Sequence, residues 1–470
     1  LGSLSIQIKN LEAAEQLLNK AIQMQPDNAH AYNNLGILYA ELAEFEKGII
    51  CSQKAIKIMP NHVEALNNLG NIYKELREFE KAKNSYQKAI QIHPSHTKSY
   101  NNLGNIFKEL GDFKKAINFY QNTIEIQPNH AKAYYNLGLV FKILGNFQEA
   151  KKAYDSALKH EPNNLITLYD LSFLNEKVLN LKIKKKIEKV MKNTYYSKKN
   201  IAYGNFLLAK YELKRKNYEK ELKFLLKGHT CYFESESKKF NNGIRYWLNE
   251  LPKIKELSDF NSSITEESKI KPIFIIGVPR CGSTLIEKVI ASGTKYIPVG
   301  EETGILSSFV RSQIVKKIPL NQNRKNFQIE ITKEYKQKEL LQEKSDYIFT
   351  DKSLDNFFYI ALIKEIFPNA KIINCRRNIL SSIISILKTN LRNVSWAHNL
   401  DHIFKFFDIY FKKIEYFKKI FPNFIYDLEF EKFVDDPEME SKKLLNFCNL
   451  PWNIKCLEYY KRKDLISQTA

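Results

Sequence analysis

Cysteine is scarce in this chain. Six stand in 470 residues, at positions 51, 231, 281, 375, 448 and 456, too few for a disulfide scaffold. No two make C-x-x-C, and no Cys/His group has zinc-finger spacing. Reduced thiols in a reducing compartment are the expectation, and with them a cytoplasmic location. Glycine (16) and proline (14) are also sparse, which excludes collagen-like and low-complexity classes. No apolar run approaches the ~18 residues of a spanning helix, and no signal peptide is visible. The chain starts at Leu1 without Met and ends abruptly at Thr469-Ala470, so it reads as a fragment, with room upstream for an anchor or targeting segment.

What is present is enough to fold. A content of 44% hydrophobic and 13% aromatic residues supports real cores, and at roughly 150 residues per domain the length suits about three of them. The net charge is +21. By position it amounts to about +3 over 1–164, +9 over 165–270 and +9 over 271–470. The excess permits a nucleic acid, an acidic peptide or a small anionic cosubstrate as partner. It also fits the Lys, Asn, Ile, Phe and Tyr bias of an AT-rich genome. No nucleic-acid recognition motif accompanies it.

The first third is periodic. Pro26, Pro60, Pro94, Pro128 and Pro162 are each 34 residues apart. Leu-Gly recurs at 35–36, 69–70, 103–104 and 137–138, followed by Tyr39, Tyr73, Phe107 and Phe141. Phe45, Phe79, Phe113 and Phe147 recur next, then a small residue at Gly48, Ala82, Ala116 and Ala150, then Ser52, Tyr86, Tyr120 and Tyr154. Glycine lets two helices of a hairpin approach, aromatics fill between them, and proline starts the next unit. The pattern resembles the tetratricopeptide repeat, with four full repeats over 29–164 and a partial one before, which implies an α-solenoid over residues 1–164. Asn34, Asn68, Asn102 and Asn136 share one offset, just before Leu-Gly. Asparagines on one face can hydrogen-bond an extended peptide backbone, and they resemble the asparagine ladder of O-linked N-acetylglucosamine transferases. A solvated polar face is the alternative. His62, His96 and His130 keep the period beside the proline and read as turn residues.

Residues 165–270 lose the period and read as a helical connector. Leu181 to Lys192 is a Lys-rich helical stretch. Residues 202–231 look like a degenerate repeat hairpin, and the polar, turn-prone segment 258–270 marks a domain boundary.

Residues 271–470 hold the chemistry. Lys271–Gly277 is a β-branched apolar run expected to be a buried parallel strand. Val278-Pro279-Arg280-Cys281-Gly282-Ser283-Thr284 follows, then a helical pattern over 285–292. Strand, glycine-bearing loop and helix together cradle a phosphate on loop N–H groups and the helix N-terminus. Gly277, Gly282 and Thr284 match the register of the ATP loop, but Ser283 stands where that loop has Lys. A kinase or ATPase is therefore disfavoured.

The segment P-R-x-G-[ST]-T resembles the 5′-phosphosulfate loop of sulfotransferases. That family also places an Arg at a strand end and a Ser eight residues on, holding the donor's 3′-phosphate. Here Lys371–Cys375 reads as a strand, Arg376-Arg377 ends it, and Ser385 stands eight residues after Arg377. The resemblance implies 3′-phosphoadenosine 5′-phosphosulfate as sulfate donor, held by Arg280, Cys281, Gly282, Ser283, Thr284, Arg377 and Ser385. It also implies an α/β three-layer, P-loop-like domain with a parallel sheet.

Val299-Gly300-Glu301-Glu302-Thr303 is similar to the G-E-E-T stretch of tyrosylprotein sulfotransferases, which maps the catalytic base onto Glu302. The spacing is one residue longer here, and the family's following Arg is Gly304, so Glu301 is a rival base. Phe349–Ser353 resembles the family's N-K-D-P segment, mapping its transition-state Lys onto Lys352, with a helix expected over Asn356–Phe367. Val434–Phe447 and Leu450-Pro451-Trp452 resemble its C-terminal helix and turn. A further nucleotide-contacting loop is implied near Ile466–Ala470, where the chain stops, so the domain reads as C-terminally incomplete. Cys281 is assigned to packing or a loop contact rather than to nucleophilic catalysis.

Sulfuryl transfer of this kind requires no metal. His398 and His402 are four apart on a predicted helix, but no third ligand is apparent. Phe404, Phe407, Tyr410, Phe411 and Phe417 read as core. The expected activity is sulfuryl transfer to a hydroxyl, with a protein tyrosine presented by the repeats as the favoured acceptor. A glycan or small-molecule acceptor, or a non-catalytic repeat adaptor, are the alternatives. A homo-oligomer is left open.

Overall fold

The computed structural model describes residues 11–193, 195–259, 269–293, 297–320, 324–341 and 347–461. Most of the boundary segment 258–270, and Ile466–Ala470, lie outside the described residues. The chain divides into two compact units, Leu1–Asn193 and Thr194–Ala470. The division falls inside the segment expected as a connector.

The first unit is a stack of helical hairpins. After α1 (Leu11–Met24) come the pairs α2 (Ala29–Glu41) and α3 (Phe45–Ile58), α4 (Val63–Glu75) and α5 (Phe79–Ile92), α6 (Thr97–Glu109) and α7 (Phe113–Ile126), and α8 (Ala131–Ile143) and α9 (Phe147–His160). Two further helices, α10 (Leu165–Leu174) and α11 (Leu181–Met191), complete it. Helices α3 and α5 end two residues before Pro60 and Pro94, because the residue preceding proline is driven out of the helical region.

The periodic glycines have a direct physical reason. A Cβ on Gly104 would lie 2.5 Å from a ring carbon of Tyr120, and the same clash recurs for Gly70 with Tyr86 and Gly138 with Tyr154. These tyrosines are fully buried. The Tyr86 and Tyr120 hydroxyls donate to Asn71 and Asn105 at 2.8 and 2.9 Å. Gly104→Ala is therefore expected to force the α6–α7 hairpin apart, destabilising the array by ~1–3 kcal/mol. Thermal denaturation checks it, and an unchanged melting temperature would show that the pair separates freely.

The second unit opens with the hairpin α12 (Lys198–Lys214) and α13 (Tyr218–Ser235), then α14 (Ser237–Ile244) and a π-helical turn over Arg245–Glu250. The hairpin uses the same packing device, with Gly228 against the Phe206 ring. A four-stranded parallel sheet follows, in the order β2-β1-β3-β4. Its strands are β1 (Lys271–Gly277), β2 (Ile348–Asp351), β3 (Lys371–Arg376) and β4 (Ile425–Glu429). Strand β1 is buried from its second residue onward, as a strand covered on both faces must be. The intervening helices are α15 (Ser283–Gly293), α16 (Ile305–Val315), α17 (Arg324–Gln337), α18 (Ile360–Ile366), α19 (Ile379–Thr389) and α20 (Leu400–Ile420). After β4 come α21 (Phe430–Asp435) and α22 (Pro437–Phe447).

Several local expectations need correction. The helix expected over 356–367 begins as a 3₁₀ turn, Leu354–Tyr359, and is α-helical only from Ile360. The helix expected over 434–447 is broken at Asp436, which instead caps a new helix at Pro437 through the Met439 N–H. Phe407, Tyr410 and Phe417 are core, but Phe404 is exposed. His398 is buried against His229, Nδ1 to Nδ1 at 2.9 Å, with its Nε2 facing the Leu391 carbonyl. It is a packed core histidine. Among the described residues, no helix is long and apolar enough to cross a membrane.

Candidate active site

The loop after β1 carries the least relaxed backbone of the region. Arg280 has φ +71°, a left-handed conformation that costs a non-glycine residue about 1–3 kcal/mol. Its side chain and carbonyl account for that conformation. Arg280 Nε donates to Ser385 Oγ on α19 at 3.0 Å. Arg377 Nη1, just past β3, donates to the Arg280 carbonyl at 3.0 Å. The Arg377 guanidinium also lies over the Phe430 ring at 5.0 Å, while its Nε is buried without a hydrogen-bond partner. Three residues from separate parts of the sequence thus meet around one loop. Beside them, α15 begins at Ser283, so its first N–H groups lack intrahelical acceptors.

Cys281 is fully buried, so only its backbone can meet a ligand. Hydrogen bonding from Cys375 and then from Ser283 lowers its thiol pKa, against the effect of burial. The Ser283 side chain is likewise buried, whereas Gly282 and Thr284 are partly exposed.

The Glu301-Glu302 turn is tied to the end of β2 from two sides. Gly300 N–H donates to the Thr350 carbonyl at 3.0 Å, and Lys352 N–H donates to the Glu301 carbonyl at 2.7 Å. On the other side, Asp351 is fully buried and accepts from Thr303 Oγ1, Tyr335 Oη and the Ser353 N–H at 2.6, 2.7 and 2.9 Å. Glu301 adopts φ +50° and contributes backbone. Glu302 contributes its carboxylate, 3.5 Å from Lys352 Nζ. The Lys352 side chain is 1% exposed and that of Glu302 is 53% exposed. The pair therefore has a buried cation and an open carboxylate. Gly304 has φ +61° and starts α16. A left-handed position at this helix start suits glycine best.

Glu287 on α15 was not singled out from the sequence, yet it sits at the junction of both groups. Its Oε1 accepts from Thr350 Oγ1 at 2.7 Å and from the Glu301 N–H at 3.1 Å. It is 1% exposed. Burial pushes its carboxyl up to about 7, while the Lys352 charge and the Thr350 hydrogen bond pull it down. The sequence signal was a charge spaced four residues from Ser283 and from Ala291 on a face otherwise buried. A raised carboxyl holds its proton in the fold but releases it in the unfolded chain between about 4.5 and 7. Its contribution to stability is present below that window and is lost as pH rises through it, by up to ~3 kcal/mol. The difference in melting temperature between Glu287→Gln and the wild type should therefore grow more positive from pH 5 to pH 8. A flat difference would remove the assignment.

A cavity of about 380 Å³ opens beside this turn. Pro279 of the loop and Glu302 both line it, so the loop and the carboxylate share one space. Asp355 also lines it, its carboxyl pushed up to about 6 by burial. The helices ahead of β1 support this region. Lys388 on α19 pairs with Glu221 on α13 at 2.9 Å, and His229 Nε2 faces the Leu387 carbonyl at 2.9 Å. They brace the helix that carries Ser385.

In the first unit the periodic asparagines link repeats. Asn68, Asn102 and Asn136 donate through Nδ2 to Asn33, Asn67 and Asn101 of the preceding repeat, at 2.9, 3.0 and 2.9 Å. Tyr135 continues the series by donating to Asp170 at 2.8 Å. Asn102 also donates to Asn71, so both of its amide hydrogens are engaged within the array. Asn34 and Asn68 are half-buried. Asn68 and Asn71 line a shallow cavity of about 220 Å³. The partner series at 33, 67 and 101 was legible as a second period but carried no separate meaning in the sequence.

Residues 272–453 match a family model described as the sulfotransferase family. Tetratricopeptide repeat models match 1–28, 17–49, 63–96, 85–118, 104–145 and 131–164. An uncharacterized protein of Aquifex aeolicus is 28% identical over 305 residues, covering 59% of this chain and 38% of that relative. The matched part thus spans well under half of the relative's length. Among solved structures, MamA is 26% identical over 34% of this chain and 95% of its own, with a TM-score of 0.31. A tetratricopeptide repeat protein from Parabacteroides merdae is 21% identical over 50% of this chain and 90% of its own, with a TM-score of 0.37.

Proposed function

The chain joins tetratricopeptide repeats to a sulfotransferase family domain, and from that premise we propose that it transfers a sulfuryl group from 3′-phosphoadenosine 5′-phosphosulfate to a protein tyrosine. The observation that carries the reading is the meeting of Arg280, Arg377 and Ser385 at one loop. Arg377 and Ser385 would hold the 3′-phosphate, the Arg377 guanidinium being placed by the Arg280 carbonyl and the Phe430 ring. Backbone N–H groups at Gly282–Thr284 would hold the 5′ side, where a helix start favours an anion. The donor supplies an activated sulfate bond; the chain supplies binding, alignment and a proton acceptor.

A phenol, with a pKa near ~10, is a poor nucleophile at neutral pH. Glu302 would accept its proton as the oxygen attacks sulfur. Charge then grows on the departing phosphate, and the Lys352 ammonium beside Glu302 would stabilise it. The asparagine series would hold the acceptor chain chiefly through its remaining amide oxygens.

Transfer of labelled sulfate from the donor to tyrosine-containing acidic peptides tests the reaction. Thermal stabilisation by 3′-phosphoadenosine 5′-phosphate tests the donor site, and saturation at 100 Kd adds ~2.7 kcal/mol. Label on tyrosine is the expected result. Stabilisation without label on tyrosine would redirect the acceptor to a glycan, and neither signal would leave the repeats as an adaptor.

A further inference from the structure

The chain has three tryptophans in 470 residues. Two of them, Trp247 and Trp396, line the cavity beside Glu302. They come from unrelated places. Trp247 lies on the π-helical turn at 245–250, within the stretch the sequence presented as a connector. Trp396 lies in the short 3₁₀ turn after α19. Trp396 is 4% exposed and stacks on Phe406, centroids 3.8 Å apart and 11° from parallel, so its position is fixed by the core. Trp247 is only half-buried. Gly243 of the same segment approaches Ser395 so closely that an added Cβ would sit 2.5 Å from its hydroxyl oxygen. This contact holds the segment bearing Trp247 against the one bearing Trp396.

We infer that this cavity is the acceptor subsite and that Trp247 and Trp396 clamp the ring of an uncharged phenol whose hydroxyl meets Glu302. The inference rests on the sulfotransferase reading for the identity of Glu302 and deepens it by naming how the acceptor is recognised. Leu354, Leu391 and Val394 complete an apolar wall. Among the described residues, no lysine or arginine lines the cavity. An anionic ring would enter beside two carboxyl groups, Glu302 and Asp355, with the neighbouring Lys352 ammonium already paired to Glu302, an arrangement that disfavours it. A pyranose carries several hydroxyls, each needing a partner once buried. The polar side chains at the wall are Glu302, Ser353, Asp355 and Asn393, too few to pair every hydroxyl of a buried pyranose, and Ser353 Oγ already accepts from the Gly304 N–H at 3.0 Å. A phenol has one hydroxyl and two apolar faces, which matches one open carboxylate between aromatic walls. Recognition inside the cavity is therefore by ring stacking, and acidic residues flanking an acceptor tyrosine gain nothing there.

The test measures binding rather than turnover, so it stands or falls separately from the reaction. N-acetyltyrosinamide and a methyl glucopyranoside are titrated by saturation-transfer NMR into the full chain, with and without 3′-phosphoadenosine 5′-phosphate. The phenol should bind. Trp247→Ala should weaken it about 3- to 10-fold, and Trp247→Phe should retain most of the affinity. The glucopyranoside should not compete. Val394→Asp, a second change in the wall, should weaken phenol binding at least as much. Cooperative thermal unfolding of each variant reports its folding. No phenol binding by the wild type, equal binding by Trp247→Ala, or tighter binding of the glucopyranoside would overturn the clamp. A failure of labelled transfer to tyrosine and to glycan acceptors alike, with phenol binding intact, would instead count against the sulfotransferase reading.

Discussion

Replacing Glu302 by alanine should lower turnover by on the order of 10²–10⁴-fold, the range associated with removing a positioned general base. Stabilisation by 3′-phosphoadenosine 5′-phosphate should be unaffected, because the groups proposed to hold that nucleotide, Arg280, Arg377 and Ser385, bond to one another and not to Glu302. The rival carboxylate gives the control. Glu301 meets its neighbours through its N–H and carbonyl, to Glu287 and to the Lys352 N–H. Those bonds survive truncation of the side chain, so Glu301→Ala should cost far less. Steady-state rates of both variants against one tyrosine peptide decide between them. A larger loss in Glu301→Ala would transfer the role of base.

Lys352→Met should lower kcat by roughly 10²–10³-fold, the usual loss when one preorganised charge at the reacting centre is removed. It should also shift the pH dependence of stability. The Lys352 charge is the leading influence holding the Glu287 carboxyl down. Without it Glu287 would keep its proton to higher pH, and the window over which stability is lost would extend further upward from its fixed lower edge near 4.5. The two effects separate the chemical role of this lysine from its structural one, since a lysine that only filled space would change neither profile. Combining Lys352→Met with Glu302→Ala should cost much less than the sum of the single losses, because the paired groups are proposed to serve one proton and charge transfer. Additive losses would place them in independent roles.

The repeat array was legible because its physics is local and repeated. Each 34-residue unit needs a glycine where the next helix passes closely, under a tyrosine ring in three repeats and Ser52 in the first, and a proline where a helix must stop, so four periods report the same constraint. The strand–loop–helix unit was legible for a related reason: one contiguous run, Lys271–Thr284, contains strand, turn and helix start. Arg377 and Ser385 followed from their spacing and from the resemblance. Glu287 was hidden because the Glu-Lys pair within LIEKVIAS looks like a solvated face; only the arrival of Thr350, Glu301 and Lys352 reveals that Glu287 is buried. His398 looked like half of a metal pair because His229, its actual partner, is 169 residues away in sequence.

The sequence by itself determined the order of parts, the solenoid, the buried strand β1 and the glycine-bearing loop that follows it. These depend on neighbours within one helix, one strand or one repeat, where composition and period carry the information. Tertiary structure alone decided which residues share a space. It placed a tryptophan from the presumed connector beside Glu302, joined Arg280 to Ser385, and engaged the asparagine amides of one repeat with the next. Such contacts depend on how elements distant in sequence pack, and neither periodicity nor spacing encodes them.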